Sequence, residues 1–326
     1  MQETFYDFAA FEILKSKNPL LVCDSAFDLL GIALPCKYVR FSGFSSNPQY
    51  EDIIAGVDVL RKNGCGFIVA IGGGSSIDAA KGIKYYSHAD VPVMAVPTTS
   101  GTGSEATHFA AIYKNGEKYS VADERLLPDI VILQPDVLKT LPVYQKKCTM
   151  LDALCQAIES WWSKQATPES IAYSQRAIEL VLEHMHSYLK NEDNGNKNML
   201  IAAHFAGKAI NITTTTAPHA MSYKLTSLYG LPHGHAAALC LPKVWRHMKG
   251  FDEIAGALGG QNYIEASSIF EKLLVDLDIL PPKNASAADL DVLTDSVNQQ
   301  RLQNNPTMLN KDTIKSLYTQ ILEVDG

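Results

Sequence analysis

Chemistry in this chain is concentrated in two glycine-rich stretches and one spaced set of donor side chains. The apolar run Phe67–Ile71 leads straight into Gly72-Gly73-Gly74-Ser75-Ser76-Ile77-Asp78. A buried strand that ends in glycines and opens a helix brings backbone N–H groups close to an anion at the helix N-terminus. The stretch lacks both the GxGxxG spacing and the GK[ST] ending of a Walker A loop. It therefore reads as a phosphate cradle or as a tight turn with a Ser/Asp cap. A second stretch, Pro97-Thr98-Thr99-Ser100-Gly101-Thr102-Gly103-Ser104-Glu105, follows the next strand and is expected to pass into a helix. Two such loops on neighbouring strands share the carboxyl edge of one sheet, where α/β proteins bind ligands. Further along, Asp152 and Gln156 are four apart in an apolar helical pattern and so share a face. His219 and His233 sit among small and apolar residues. Two neutral imidazoles and a carboxylate suit zinc or ferrous iron, and they equally suit hydrogen-bonded core residues. His184, His186 and His204, on ordinary helical patterns, read as surface or packing residues.

The elements that must position these residues differ between the two halves. From Leu20 to Leu141, short apolar β-branched runs alternate with helical stretches: NPLLVCDS, CKYVRFSG, EDIIAGVDVLRKNG, GFIVAIGGGS, IDAAKGIKYYS, PVMAVPTTS and PDIVILQP. That alternation predicts a parallel, doubly wound sheet. Beyond Pro142 the strand signals stop and amphipathic helices follow, with NEDNGNKN between two of them read as a polar turn. The fold class is thus α/β plus all-α: a Rossmann-like dinucleotide-binding domain over 1–142 and a helical metal and substrate domain over 143–326. At 326 residues, two domains are the natural expectation. Twenty-eight Lys and Arg against 35 Asp and Glu leave a charge of −7, which argues against nucleic acid and against a polybasic membrane patch. No apolar run approaches the roughly 20 residues a bilayer span requires, and no signal layout opens the chain. Six scattered cysteines without a CxxC pair read as reduced core thiols, so the expected location is the cytoplasm.

GGGSSIDAAK, PTTSGTGSE, the lysine ahead of ADERLLPD, DALCQAIE and two histidines fourteen apart ending in PHG occur here in one order. In that order they resemble the iron-containing alcohol dehydrogenase family, within the dehydroquinate-synthase-like fold, from about Leu20 onward. Within the family, TTAPHAMSYKLTSLYGLPHGHAAAL and QQRLQNNPTML look most like phosphonoacetaldehyde reductases of phosphonate biosynthesis. The resemblance implies metal-dependent, NAD(P)H-linked reduction of a small aldehyde, here phosphonoacetaldehyde to 2-hydroxyethylphosphonate. General alcohol dehydrogenase activity is the alternative. A dehydroquinate-synthase-like lyase would need a dense Lys and Arg cluster that the helical half lacks. A non-catalytic module that kept only the cofactor loop is a further alternative.

The resemblance also implies residue roles. Gly72, Gly73, Gly74, Ser75 and Asp78 match the pyrophosphate loop; Thr98, Thr99 and Ser104 match the second cofactor loop; Lys118 matches a lysine that faces the nicotinamide ribose. Asp152, His219 and His233 match metal ligands for Fe2+ or Zn2+. Gln156 stands where a histidine ligand is usual, and its amide oxygen is the expected fourth, weaker donor. Tyr223 replaces a second histidine and becomes a candidate proton donor alongside a packing role. Ser42 stands where an acid often holds the adenine ribose, and with Arg40 nearby this favours NADPH while allowing NADH. Lys224, Arg246 and His235 are the cations near the ligands in sequence, available to a phosphonate or simply solvated. The expected partners are a small-molecule aldehyde and a second copy of the chain, with no nucleic acid and no membrane.

Overall fold

A computed structural model describes residues 2–114 and 117–324, except the side chains of Glu117 and Lys118. The chain forms two compact units, Met1–Pro142 with His186–Gly207, and Val143–Met185 with Lys208–Gly326.

In the first unit lie β1 (Glu3–Phe5), β2 (Pro19–Cys23), β3 (Val39–Phe41), α1 (Tyr50–Lys62), β4 (Phe67–Gly72), α2 (Gly74–Ser87), β5 (Val93–Pro97), β6 (Phe109–Lys114), β7 (Glu117–Ala122) and β8 (Ile130–Ile132). Six strands make one parallel sheet in the order β1-β8-β5-β4-β2-β3. β2, β4 and β5 are buried along their whole length, as expected for central strands of a sheet covered on both faces. Leu20, Val22, Ile68, Ile77, Ile83 and Ile112 belong to one core cluster on that sheet. Gly72 is registered against Pro97, so the two glycine-rich loops leave adjacent strands side by side.

Two expectations need correction here. The second loop does not open a helix; a single 3-10 turn, Ser104–Ala106, leads into the antiparallel β6–β7 hairpin. Gly103 adopts a left-handed φ of +60° and Thr107 is extended, which ends the turn before a helix can propagate. The polar run 191–198 is not a turn either, because a helix begins at Asp193.

The helical part comprises α3 (Val143–Trp162), α4 (Pro168–Leu189), α5 (Asp193–Thr213), α6 (Ala217–Tyr229), α7 (His233–Met248), α8 (Asp252–Ala257), α9 (Tyr263–Asp276), α10 (Asp289–Ser296), α11 (Gln299–Leu302) and α12 (Lys311–Leu322). α3, α6 and α7 pack together. Gly230 caps α6 in the left-handed conformation (φ +69°), and Pro232 precedes α7, so the chain reverses in a few residues. None of the six cysteines is in a disulfide, and five are buried. No helix among the described residues is long and apolar enough to cross a membrane.

Candidate metal centre and cofactor loops

α3 carries Asp152 and Gln156, α6 carries His219 and Tyr223, and α7 opens on His233. A Cβ on Gly234 would lie 2.0 Å from the Cys148 carbonyl and 2.7 Å from the Asp152 Cβ, so only glycine lets α7 begin this close to α3. That approach brings His233 to Asp152. Asp152, His219 and His233 each present a ligand atom, all within 4.8 Å of one another. His219 Nε2 lies 3.1 Å from Asp152 Oδ1, and both residues are buried. The two imidazole rings are 5.1 Å apart at 70°.

Behind His219 stands Glu159, wholly buried on α3. Its Oε1 pairs with His219 Nδ1, while Oε2 accepts from the Thr216 backbone N–H (2.7 Å) and hydroxyl (2.9 Å). Trp162 Nε1 in turn donates to the Thr216 hydroxyl at 2.8 Å. A carboxylate on Nδ1 fixes the ring's orientation; with no metal bound Nε2 donates to Asp152 Oδ1, and on losing that proton Nε2 becomes a lone-pair donor to a metal. Burial works to lower the His219 pKa, yet Glu159 and Asp152 hold it well above the ordinary imidazole value. Burial likewise opposes the charge on Asp152, and the hydrogen bond from His219 with both nearby imidazoles keeps it ionised below its usual range. Two carboxylates converging on one imidazole create a demand for positive charge. One carboxylate oxygen and two imidazole nitrogens fit a divalent transition metal. Gln156 is buried on the same face, and its side chain hydrogen-bonds Asp152.

Tyr223 lies one turn beyond His219 and stacks flat on His233, with ring centroids 5.3 Å apart at 9°. Arg301, from α11, sits over the Tyr223 ring. Its Cζ is 4.8 Å from the Tyr223 centroid, and Nη1 donates to the Tyr223 hydroxyl at 3.0 Å. The cations singled out by sequence proximity are placed otherwise. Arg246 pairs with Glu271 (2.8 and 3.1 Å), which also takes Lys243. His235 is bonded to the Tyr144 hydroxyl and the Leu280 carbonyl, both at 2.9 Å. Lys224 is half-buried on α6. Arg301 lies inside the quoted segment QQRLQNNPTML, yet no role was read for it, because nothing in its local sequence ties it to His233.

In the first unit, Gly73, Gly74 and Ser75 start α2 directly from β4. A Cβ on Gly74 would meet Thr102 at 2.8 Å, so the two loops touch through glycine. Ser75 donates to the Ser46 carbonyl. Thr98 is buried, and its N–H donates to the Gly72 carbonyl at 3.0 Å; Thr99 is half-buried. Asp78 and Ser104 face each other: Asp78 Oδ1 accepts from Ser104 Oγ (2.5 Å), and Oδ2 accepts from the Ala111 N–H (3.0 Å). Lys81, one turn on and fully buried, donates to the Ser104 carbonyl and hydroxyl, the Thr107 carbonyl and hydroxyl, and the Phe109 carbonyl. Asp78 and Lys81 thus brace the second loop against α2, a tie that motif spacing alone did not disclose. At the end of β3, Ser42 accepts from Arg40 Nε at 3.0 Å, and Arg40 forks onto Asp28 at 2.6 and 3.0 Å. Asp28 thus places a carboxylate beside this position from outside β3. Lys118 pairs with Tyr113 through the hairpin backbone, and its side chain lies outside the described residues.

The sequence matches the family profile described as iron-containing alcohol dehydrogenase over residues 9–135, and that of the Fe-containing alcohol dehydrogenase family, C-terminal, over 147–322. It is 29% identical to phosphonoacetaldehyde reductase of Streptomyces viridochromogenes across 79% of this chain and 76% of that protein. It is 31% identical to 1,3-propanediol dehydrogenase of Klebsiella pneumoniae across 72% of this chain and 69% of that protein. Sulfoacetaldehyde reductase from Bifidobacterium kashiwanohense, solved in complex with NAD+, superposes with a TM-score of 0.92 at 25% identity, covering 99% of this chain and 98% of that one.

Proposed function

This chain belongs to the iron-containing alcohol dehydrogenase family and is an NAD(P)-linked oxidoreductase of that family; from that premise we propose that it reduces phosphonoacetaldehyde to 2-hydroxyethylphosphonate. The reaction balances as aldehyde plus NAD(P)H plus a proton giving alcohol plus NAD(P)+. The observation that carries the reading is the Asp152, His219 and His233 donor set, within 4.8 Å and backed by Glu159. Similarity to two proteins named for short aldehydes with an anionic group, one a phosphonate and one a sulfonate, supports the choice of substrate.

When bound, a divalent metal supplies Lewis-acid polarisation of the aldehyde oxygen, and the nicotinamide supplies hydride. The chain's residues do the rest. Asp152, His219 and His233 would hold the ion, with Gln156, on the same face of α3 as Asp152, as the fourth donor. Glu159 keeps His219 in the ligating tautomer. The Tyr223 hydroxyl accepts from Arg301 and so has its own proton to give to the developing alkoxide. Gly72, Gly73, Gly74 and Ser75 receive the pyrophosphate through backbone N–H groups, with Thr98 and Thr99 on the adjoining loop. Ser42 and Arg40 meet the adenine ribose, and Lys118 the nicotinamide ribose.

The test is NAD(P)H oxidation by the metal-loaded protein with phosphonoacetaldehyde and with propanal, the product identified by phosphorus NMR. The reading expects a clear preference for the charged aldehyde. Equal kcat/KM for the two would overturn the phosphonate assignment and favour a general alcohol dehydrogenase.

A further inference from the structure

We infer that Arg301 recognises the anionic group of the substrate, a tetrahedral oxyanion carried on a short aldehyde, with Tyr223 as its platform. The inference rests on the aldehyde-reductase reading above and adds the residue that selects charged over neutral aldehydes.

Two contacts of the Tyr223 ring make the case. The His233 ring, whose ligand atom lies with those of Asp152 and His219, is covered by the parallel ring of Tyr223 at 5.3 Å. The Arg301 guanidinium lies over the same Tyr223 ring, its Cζ 4.8 Å from the centroid. The guanidinium is therefore no farther from the imidazole than these two separations laid end to end. A two-carbon aldehyde spans only a few ångströms between its carbonyl and its anionic group, so the inference requires the guanidinium to lie well inside that upper bound. One guanidinium nitrogen is anchored on the Tyr223 hydroxyl at 3.0 Å, which fixes the plane of the fork. A planar fork of N–H groups is the side chain best matched to phosphonate or sulfonate oxygens.

Charge balance points the same way. Asp152 and Glu159 are buried within this donor network, and each repels an incoming anion. The chain's net charge of −7 adds no long-range attraction, so the cation has to be local.

The experiment compares wild type, Arg301→Gln and Arg301→Lys on phosphonoacetaldehyde, sulfoacetaldehyde and propanal. Binding of 2-hydroxyethylphosphonate to the metal- and NAD(P)-loaded protein is measured calorimetrically as a readout independent of turnover. Arg301→Gln should cut the preference for phosphonoacetaldehyde over propanal by about 10- to 100-fold, mainly through KM, the scale of a charge-assisted hydrogen bond. Product affinity should weaken by a similar factor. Arg301→Lys should recover part of both, and it keeps the question answerable if the glutamine variant misfolds. A wild-type preference for sulfoacetaldehyde over phosphonoacetaldehyde and propanal that Arg301→Gln abolishes supports Arg301 as the anion reader and overturns the phosphonate assignment. A wild-type preference for phosphonoacetaldehyde that survives both substitutions overturns Arg301 and leaves the assignment standing. Parallel losses on charged and neutral aldehydes also overturn it, since they mark a structural role.

Discussion

Glu159 grips His219 from behind: its carboxylate meets Nδ1, while Nε2 on the opposite edge faces Asp152 at 3.1 Å. The imidazole is thereby a spacer between two carboxylates, and only one of them belongs to the ligand-atom cluster. Removing the outer one should loosen the ring without removing a donor. Glu159→Gln is expected to lower metal affinity by about 10- to 100-fold, and Glu159→Leu by more, as for other carboxylates behind a ligating histidine. Chelator competition measures this directly, and unchanged affinity in both variants would show that packing alone orients His219.

The donors themselves carry a sharper expectation. Asp152→Ala, His219→Ala and His233→Ala should each lower metal content and nearly abolish turnover, because each removes a ligand atom. Gln156→His, on the same face of α3 one turn from Asp152, should tighten metal binding. Elemental analysis after dialysis decides it; a histidine variant with wild-type metal retention places position 156 outside the coordination shell.

Lys81 supplies a pH signature. Desolvation pulls its ammonium down to about 8 in the folded chain, against the opposing pull of Asp78 and Glu105. The unfolded value is the ordinary 10.5. Between these two values the unfolded chain binds the proton that the folded chain has released. Stability therefore gains from this group as pH rises from about 8 to 10.5, by up to about 1.4 kcal/mol per pH unit. Lys81→Met should be less stable overall, because the Ser104, Thr107 and Phe109 carbonyls lose their ammonium donor, and should lack that rising component. Urea unfolding of both proteins across this window isolates it, since the buried cysteines titrate alike in each. Parallel curves would mean that Lys81 stays protonated throughout.

Cofactor choice turns on the Asp28, Arg40 and Ser42 group. Ser42→Asp should move preference toward NADH by about 1–3 kcal/mol, the scale of a hydrogen bond to a charged group. Asp28→Asn should release Arg40 for a 2′-phosphate and move preference toward NADPH. Steady-state kcat/KM for both cofactors measures both shifts, and a wild-type enzyme with a strong NADH preference contradicts the reading of Ser42.

β2, β4, β5 and β8 were legible in the sequence because each is a dense apolar run in a parallel sheet. β1 was not, being three residues at a sheet edge with Glu3 exposed. The β6–β7 hairpin was missed because its alternating, half-buried side chains give little signal beside the glycine loop. At the candidate site, Asp152, His219 and His233 stood out by type and spacing. Glu159 was visible as a residue, but its partners lie on α6 and just before it, beyond the reach of helical periodicity. Arg301 belongs to a four-residue helix far along the chain, so only the fold brings it to Tyr223.

The glycine pair Gly103 and Gly207 bears on how the protein is made. A Cβ on Gly103 would sit 2.5 Å from the Gly207 Cα, so α5 rests directly on the second loop of the first unit. Tyr188 and His204 lie in the same late segment and bond Ser100 and Glu105 of that loop. During synthesis the first 142 residues leave the ribosome well before 186–207 exist. At about 5–20 residues per second, this leaves the second loop without its cover for on the order of several seconds. A nascent chain stalled shortly after residue 142 should therefore expose that loop to protease, and protection should begin only once Gly207 has emerged. The same dependence means that residues 1–142 transplanted into another protein would carry the phosphate cradle without the helix that backs its neighbour.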